Sequence, residues 1–269
     1  MSFSFDVKDE ISKKIINDCC KKSFMQSFLL LVKKKQPLNS KEPLIFVIKS
    51  LPIARTIIKL FKEVFPNIEI EFSLYKSKTK NLSFVKCRVY KGIDILLNQI
   101  SINNRVDVVE FPKHDQALEE DFNECDRAFY SGAFVACGSV NSPKTSNYHI
   151  EFSFDNETTT DNFIKAIATF NIDFIFKKLI RKNRYGAYLK TSAHITDFLV
   201  FMSATDNMLL FESDRMDRSF KNALNRYNNL DISNQMKINA SSLKQINMIN
   251  FLEKKRPFSW FKWKCSKSS

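Results

Sequence analysis

The sequence predicts an α+β fold made by duplication: helix, strand, helix, hairpin and helix, twice over, followed by an α-helical segment. Three observations carry this. Residues 125–140, CDRAFYSGAFVACGSV, and residues 20–35, CKKSFMQSFLLLVKKK, align at an offset of 105 positions, so that Cys20 matches Cys125, Phe24 matches Phe129 and Ser27 matches Gly132. At the same offset Ile45 falls on Ile150, and both open apolar, strand-like runs. After residue 204 the strand pattern stops and helical periodicity takes over.

The elements follow in order. Residues 5–17 space Phe5, Val7, Ile11 and Ile15 at threes and fours, which predicts a short amphipathic helix. A second helix over 18–35 ends at the breaker cluster Gln36-Pro37-Leu38-Asn39-Ser40. PLIFVIKS (43–50) reads as a strand, and Pro52 suits the first turn of the helix that follows it. Strands over 68–76 and 82–91 flank the polar run 77–81, a hairpin turn, and Gly92 introduces a helix over 93–100. The second copy has a helix over 116–138, the turn Asn141-Ser142-Pro143 and a strand over 148–155. A helix over 156–170, strands over 172–180 and 185–192 around a second basic turn, and a helix over 194–204 complete it.

These elements divide the chain into a first repeat (1–104), a linker with the second repeat (105–204), a helical segment (205–252) and a basic-aromatic tail (253–269). Within the helical segment Met216, Phe220, Leu224 and Tyr227 mark one apolar line. Asn and Ser around 228–234 predict a break before a second helix. The tail, with Trp260 and Trp263, is too short to pack a domain and is expected to be disordered.

In 125–140 the small residues share one face, with Gly132 and Ala136 four apart, so another helix can approach backbone to backbone. Ser27, Gly132 and Ala136 are therefore the expected helix-interface residues.

Composition bounds the function. A formal charge of +13 and a pI near 9.4 point to a polyanionic partner, nucleic acid or an anionic membrane surface. No apolar run approaches the ~20 residues of a membrane span. Acids in the opening MSFSFDVKDEISKK oppose a signal peptide, so a cytoplasmic protein is expected. The six cysteines form no C-x-x-C pair and lie near no histidine, which argues against zinc and predicts reduced, packed thiols. No cofactor is implied.

The small-faced helix followed by strand, helix and hairpin resembles the LAGLIDADG homing-endonuclease fold, residues 130–138 (YSGAFVACG) aligning with its signature. In active members each repeat supplies an acid just before the closing glycine, and the two acids hold a divalent metal for phosphodiester hydrolysis. Here those positions are Val32 and Cys137. Valine offers no ligand atom and a thiol suits softer metals, so catalysis is not expected.

A resemblance to the WhiA family spans residues 2 to about 252. It rests on SFSFDVKDEISKK, the Cys19-Cys20 pair, CDRAFYSGAFVACGSV with the NSP after it, and YHIEFSF. Asn225, Arg226, Asn234 and Gln245 in the helical segment complete it. The resemblance implies a transcription regulator tied to cell division, working on double-stranded DNA and associated with the nucleoid. It joins a degenerate endonuclease-like saddle to a C-terminal helix-turn-helix. After residue 252 only 17 residues remain, so that DNA-reading module is not recognisable and sequence-specific promoter binding is in question.

The matching hairpin turns supply candidate phosphate contacts: Lys76, Lys78 and Lys80 in the first repeat, Arg181, Lys182 and Arg184 in the second. Each could equally be a solvated turn. Arg226, with Asn225, is either a DNA contact or part of an interhelical hydrogen-bond pair. Three functions fit the sequence: a non-catalytic DNA-binding regulator, a scaffold whose saddle docks a protein partner, and an endonuclease using other ligands.

Overall fold

A computed structural model describes residues 2–33, 43–76, 83–100, 108–113, 123–145, 147–170, 174–181 and 184–255. It resolves into two compact units, Met1–Arg215 and Met216–Ser269. Lys78, Lys80, Lys182, Trp260, Trp263 and Cys265 lie outside the described residues.

The first unit is the duplication. In the first repeat α1 (Phe3–Lys13), α2 (Asp18–Leu31), β1 (Leu44–Ile48), α3 (Leu51–Val64), β2 (Glu69–Lys76), β3 (Ser83–Lys91) and α4 (Ile93–Ile100) follow one another. The second contains α5 (Glu124–Cys137), β4 (Gly138–Val140), β5 (Ile150–Phe154), α6 (Glu157–Ile167), β6 (Lys177–Arg181), β7 (Arg184–Leu189) and α7 (Ser192–Phe201). Both sheets are antiparallel. Their strand orders, β1-β3-β2 and β4-β5-β7-β6, are the same arrangement once β4 is set aside. β4 differs from expectation. The chain leaves the helix at Gly138, whose backbone is extended, and residues 138–140 pair with β5 as an edge strand.

Local sequence explains the helix starts. Asn123 Oδ1 accepts from the Cys125 amide at 3.0 Å and Asn156 Oδ1 from the Thr159 amide at 2.7 Å, satisfying amides that have no intrahelical partner. Pro52 sits in the first turn of α3, as expected. α8 (Thr205–Lys255) begins in the first unit and is capped from a distance. The Glu10 carboxylate accepts from the Asp206 and Asn207 amides at 2.8 and 3.0 Å. Burial alone would raise the Glu10 pKa, but the hydrogen bonds from Lys14 and from α8 hold it below the ordinary value.

Alternation along the strands sorts each sheet into two faces. Leu44, Phe46, Ile48, Val85, Cys87 and Val89 point to the helices of the first repeat, and Ile150, Phe152, Phe154, Ala187 and Leu189 to those of the second; all are buried. The second repeat packs on aromatic rings. Phe163 lies 4.6 Å from Phe152 and 5.1 Å from Phe176 between ring centroids, in the range of favourable aromatic pairs.

The second unit corrects the expected break at 228–234: α8 runs unbroken for 51 residues, about 75 Å at the α-helical rise. Asn and Ser cost each turn only a few tenths of a kcal/mol relative to better helix formers, while Gly and Pro, the strong breakers, are absent from 205–255. Every residue from Ser219 to Lys255 is exposed, the line Phe220, Leu224 and Tyr227 included.

Candidate nucleic-acid interface

The helix pair organises the site. α2 and α5 pack along their lengths, and equivalent positions of the two repeats meet. Gly132 lies against the Phe24 carbonyl and Ser27 Oγ so closely that a Cβ would overlap both. Ser27 Oγ donates to the Phe24 carbonyl at 3.0 Å, which removes the cost of burying a hydroxyl in this seam. Ala136, one turn further along α5, is partly buried near the base of the pair.

At the N-terminal ends of the pair Cys19 is bonded to Cys125 with Cα atoms 6.3 Å apart, and Cys20 Sγ stands 4.0 Å from Cys125 Sγ. The expectation of reduced thiols throughout is corrected here. The duplication brings the start of α2 and the start of α5 together, so cysteines far apart in sequence become neighbours. Cys20, Cys87 and Cys137 are free.

At the opposite end Val32 and Cys137 line one cavity of about 360 Å³, shared by both repeats. Four cationic side chains line it too: Lys8 from α1, Lys33 after α2, Lys49 after β1 and Arg184 from β7. Lys8 Nζ donates to the Val135 carbonyl at 3.0 Å and lies 5.6 Å from the Phe134 ring centroid. Burial, reinforced by the charge of Lys49 and opposed by Cys137, lowers its pKa to about 8. Burial pushes the Cys137 thiol up to about 12, so it stays protonated. Valine, a neutral thiol and a cluster of cations do not fit a hard divalent metal, which needs oxygen ligands.

The faces of the sheets turned away from the helices carry the other basic groups. In the first sheet these are Lys86 and Arg88, with Glu71 opposite Arg88; in the second, Lys177, Arg181 and Arg184, the last two paired across the hairpin. Lys178, on the helix side, instead bridges Glu157 and Asp161 of α6, at 2.7 Å to each. Lys76 shares the helix-side face with Phe72 and Leu74 and is thereby separated from Lys86 and Arg88. Arg226 is exposed on α8 in the second unit. Of the residues read from the turns, Arg181 and Arg184 lie on an outer face; Lys86, Arg88 and Lys177 share the outer faces and Lys8, Lys33 and Lys49 the cavity without having been singled out in the sequence. The alternation of VKCRVYK (85–91) could have found Lys86 and Arg88; nothing local marks Lys8.

Comparison with known proteins is consistent with this architecture. Residues 126–221 match the family model described as the WhiA LAGLIDADG-like domain. A probable cell division protein WhiA of Pediococcus pentosaceus is 33% identical over 257 residues, covering 94% of this chain and 81% of the relative. The crystal structure of full-length DUF199/WhiA from Thermatoga maritima superposes with a TM-score of 0.62 at 17% identity, covering 94% of this chain and 80% of that one. The N-terminal LAGLIDADG domain of DUF199/WhiA superposes with a TM-score of 0.51 at 19% identity, over 76% and 89% of the two chains. The fold is thus the duplicated LAGLIDADG saddle, and at this identity and coverage the chain belongs to the WhiA family.

Proposed function

We propose that this protein is a non-catalytic, DNA-binding regulator linked to cell division, which holds duplex DNA on the outer faces of its two sheets without cutting it. The observation that carries the reading is the sorting of charge in the second repeat. Lys177, Arg181 and Arg184 face outward together, while Lys178 is neutralised on the helix side. Cations arranged on a strand surface can meet successive phosphates, and a two-stranded ribbon such as the β6–β7 hairpin fits a major groove. The +13 charge agrees in sign, and the name carried by relatives supplies the link to cell division. Absence of catalysis follows from donor chemistry, because Val32 and Cys137 stand where carboxylates would be needed. A cytoplasmic, nucleoid-associated location goes with this reading.

One observation favours a second reading, a scaffold for a protein partner. Between α3 and the open edge of the first sheet lies a surface groove of about 500 Å³ lined by Ala54, Ile58, Phe72, Leu74 and Val85, with Arg55, Lys59 and Lys62 among its lining residues. Phe72 and Leu74 are more than half exposed there.

A salt titration separates the two. For duplex binding, log affinity falls linearly with log salt by about 0.9 per phosphate contact. Neutralising Lys177 and Arg181 together should reduce that slope by roughly 2. Loss of affinity with no change of slope, or no duplex binding at low salt, refutes the DNA reading.

A further inference from the structure

We infer that the cavity at the base of the helix pair is a phosphate-binding site, built where the fold's ancestral metal site would lie. Four cationic side chains, Lys8, Lys33, Lys49 and Arg184, line it against one carboxylate, Glu151. That carboxylate is already engaged, with Oε2 2.9 Å from His149 Nε2. Asp155 and Lys33 act on Cys137 from nearby, but the thiol itself is neutral and cannot offset Lys8. The cations come from α1, the segment after α2, the segment after β1, and β7, so both repeats contribute.

Lys8 is the informative group. An ammonium carries three donors, and the hydrogen bond of Lys8 goes to one carbonyl, Val135, at 3.0 Å. Among the described residues no salt bridge joins it to a carboxylate. A half-buried cation lining a cavity with no counter-ion beside it is a ready partner for a bound anion. Ser50, Ser139 and Ser153 also line the cavity, and phosphate oxygens accept from hydroxyl and amide donors of this kind. The cavity volume of about 360 Å³ admits a phosphate group with solvent to spare.

A phosphate could arrive as a phosphodiester of bound duplex or as free phosphate on a small ligand. The duplex source rests on the function proposed above; the free source does not.

The test uses the full chain, inorganic phosphate and a duplex oligonucleotide, with Lys8→Met and the exposed-site variant Lys49→Met. Phosphate at about ten times its Kd should raise the melting temperature by roughly 3 °C over chloride at matched ionic strength, and both variants should lose that rise. If the duplex is the source, each variant should also lower the salt slope by about 0.9. A phosphate rise with unchanged slopes assigns the free ligand. A phosphate rise in a protein that binds no duplex keeps the site and removes the DNA reading. Equal phosphate response and equal slopes in wild type and both variants overturn the site, whatever the wild type does on DNA.

Discussion

Gly132→Ala puts the helix seam to a test in which two effects oppose each other. Replacing a helix-interior glycine by alanine stabilises an unobstructed helix by about 1 kcal/mol. Here the new Cβ would overlap the Phe24 carbonyl and Ser27 Oγ. A side chain could rotate away, but the carbonyl belongs to α2 and moves only with the helix. Overpacking of this kind costs up to about 3 kcal/mol, so the net expectation is a loss of about 2 kcal/mol. For a unit of this size that is a fall in melting temperature of roughly 4–8 °C by calorimetry or circular dichroism. Adding Ser27→Gly to Gly132→Ala should recover only the part of the loss due to Ser27 Oγ, because the Phe24 carbonyl still meets the new Cβ. A Gly132→Ala protein more stable than wild type by about 1 kcal/mol would show that propensity alone acts, and would refute the close approach of α2 and α5.

Two further outcomes concern Lys8 and the cysteine link. In phosphate-free buffer Lys8→Met should be more stable than wild type below pH 8, by at most about 3 kcal/mol from the lowered pKa and by less to the extent that water screens the half-buried ammonium. The sign follows from linkage: between pH 8 and 10.5 the folded protein has released a proton the unfolded chain retains, so wild-type stability climbs with pH and the advantage of the variant fades. Chemical denaturation at pH 7 and pH 10 measures it, and a pH-independent difference would show that Lys8 is not the group responsible. For the Cys19–Cys125 link, alkylation with and without reductant should differ by two cysteines, located at those positions by peptide mapping. Closing 106 residues of chain contributes up to about 5 kcal/mol, so reductant should lower the melting temperature; an identical alkylation pattern would contradict the link.

What the sequence made legible was what the duplication repeats. Ser27 and Gly132, or Cys20 and Cys125, could be set opposite one another because the offset of 105 holds across helix and strand alike. The hairpins were legible because their turns are polar and their strands alternate. Lys8 was not. It lies in an amphipathic helix with nothing in its neighbourhood to distinguish it from Lys13 or Lys14, and only the packing of α1 beside Val135 turns it into the shared cavity. Cys19 was missed for a related reason: alignment places Cys20 opposite Cys125, but the bond forms one residue away. The break expected in α8 followed from treating Asn and Ser as stops, when their individual costs are too small to end a helix without proline or glycine. The charge of the outer faces was partly hidden because Lys76 and Arg181, both at strand ends of matching turns, fall on opposite faces once strand register is fixed.

The central claim is that the saddle keeps its grip on DNA and has lost the chemistry at the base of the helix pair. Incubating the full chain in excess with supercoiled plasmid and magnesium, then resolving the mixture before and after removal of protein, tests both halves at once. Plasmid retarded before deproteinisation and fully supercoiled after it is the predicted result. Nicked or linear product that chelator abolishes would contradict the assignment of Val32 and Cys137, and plasmid that migrates freely at low salt would contradict the DNA-binding surface.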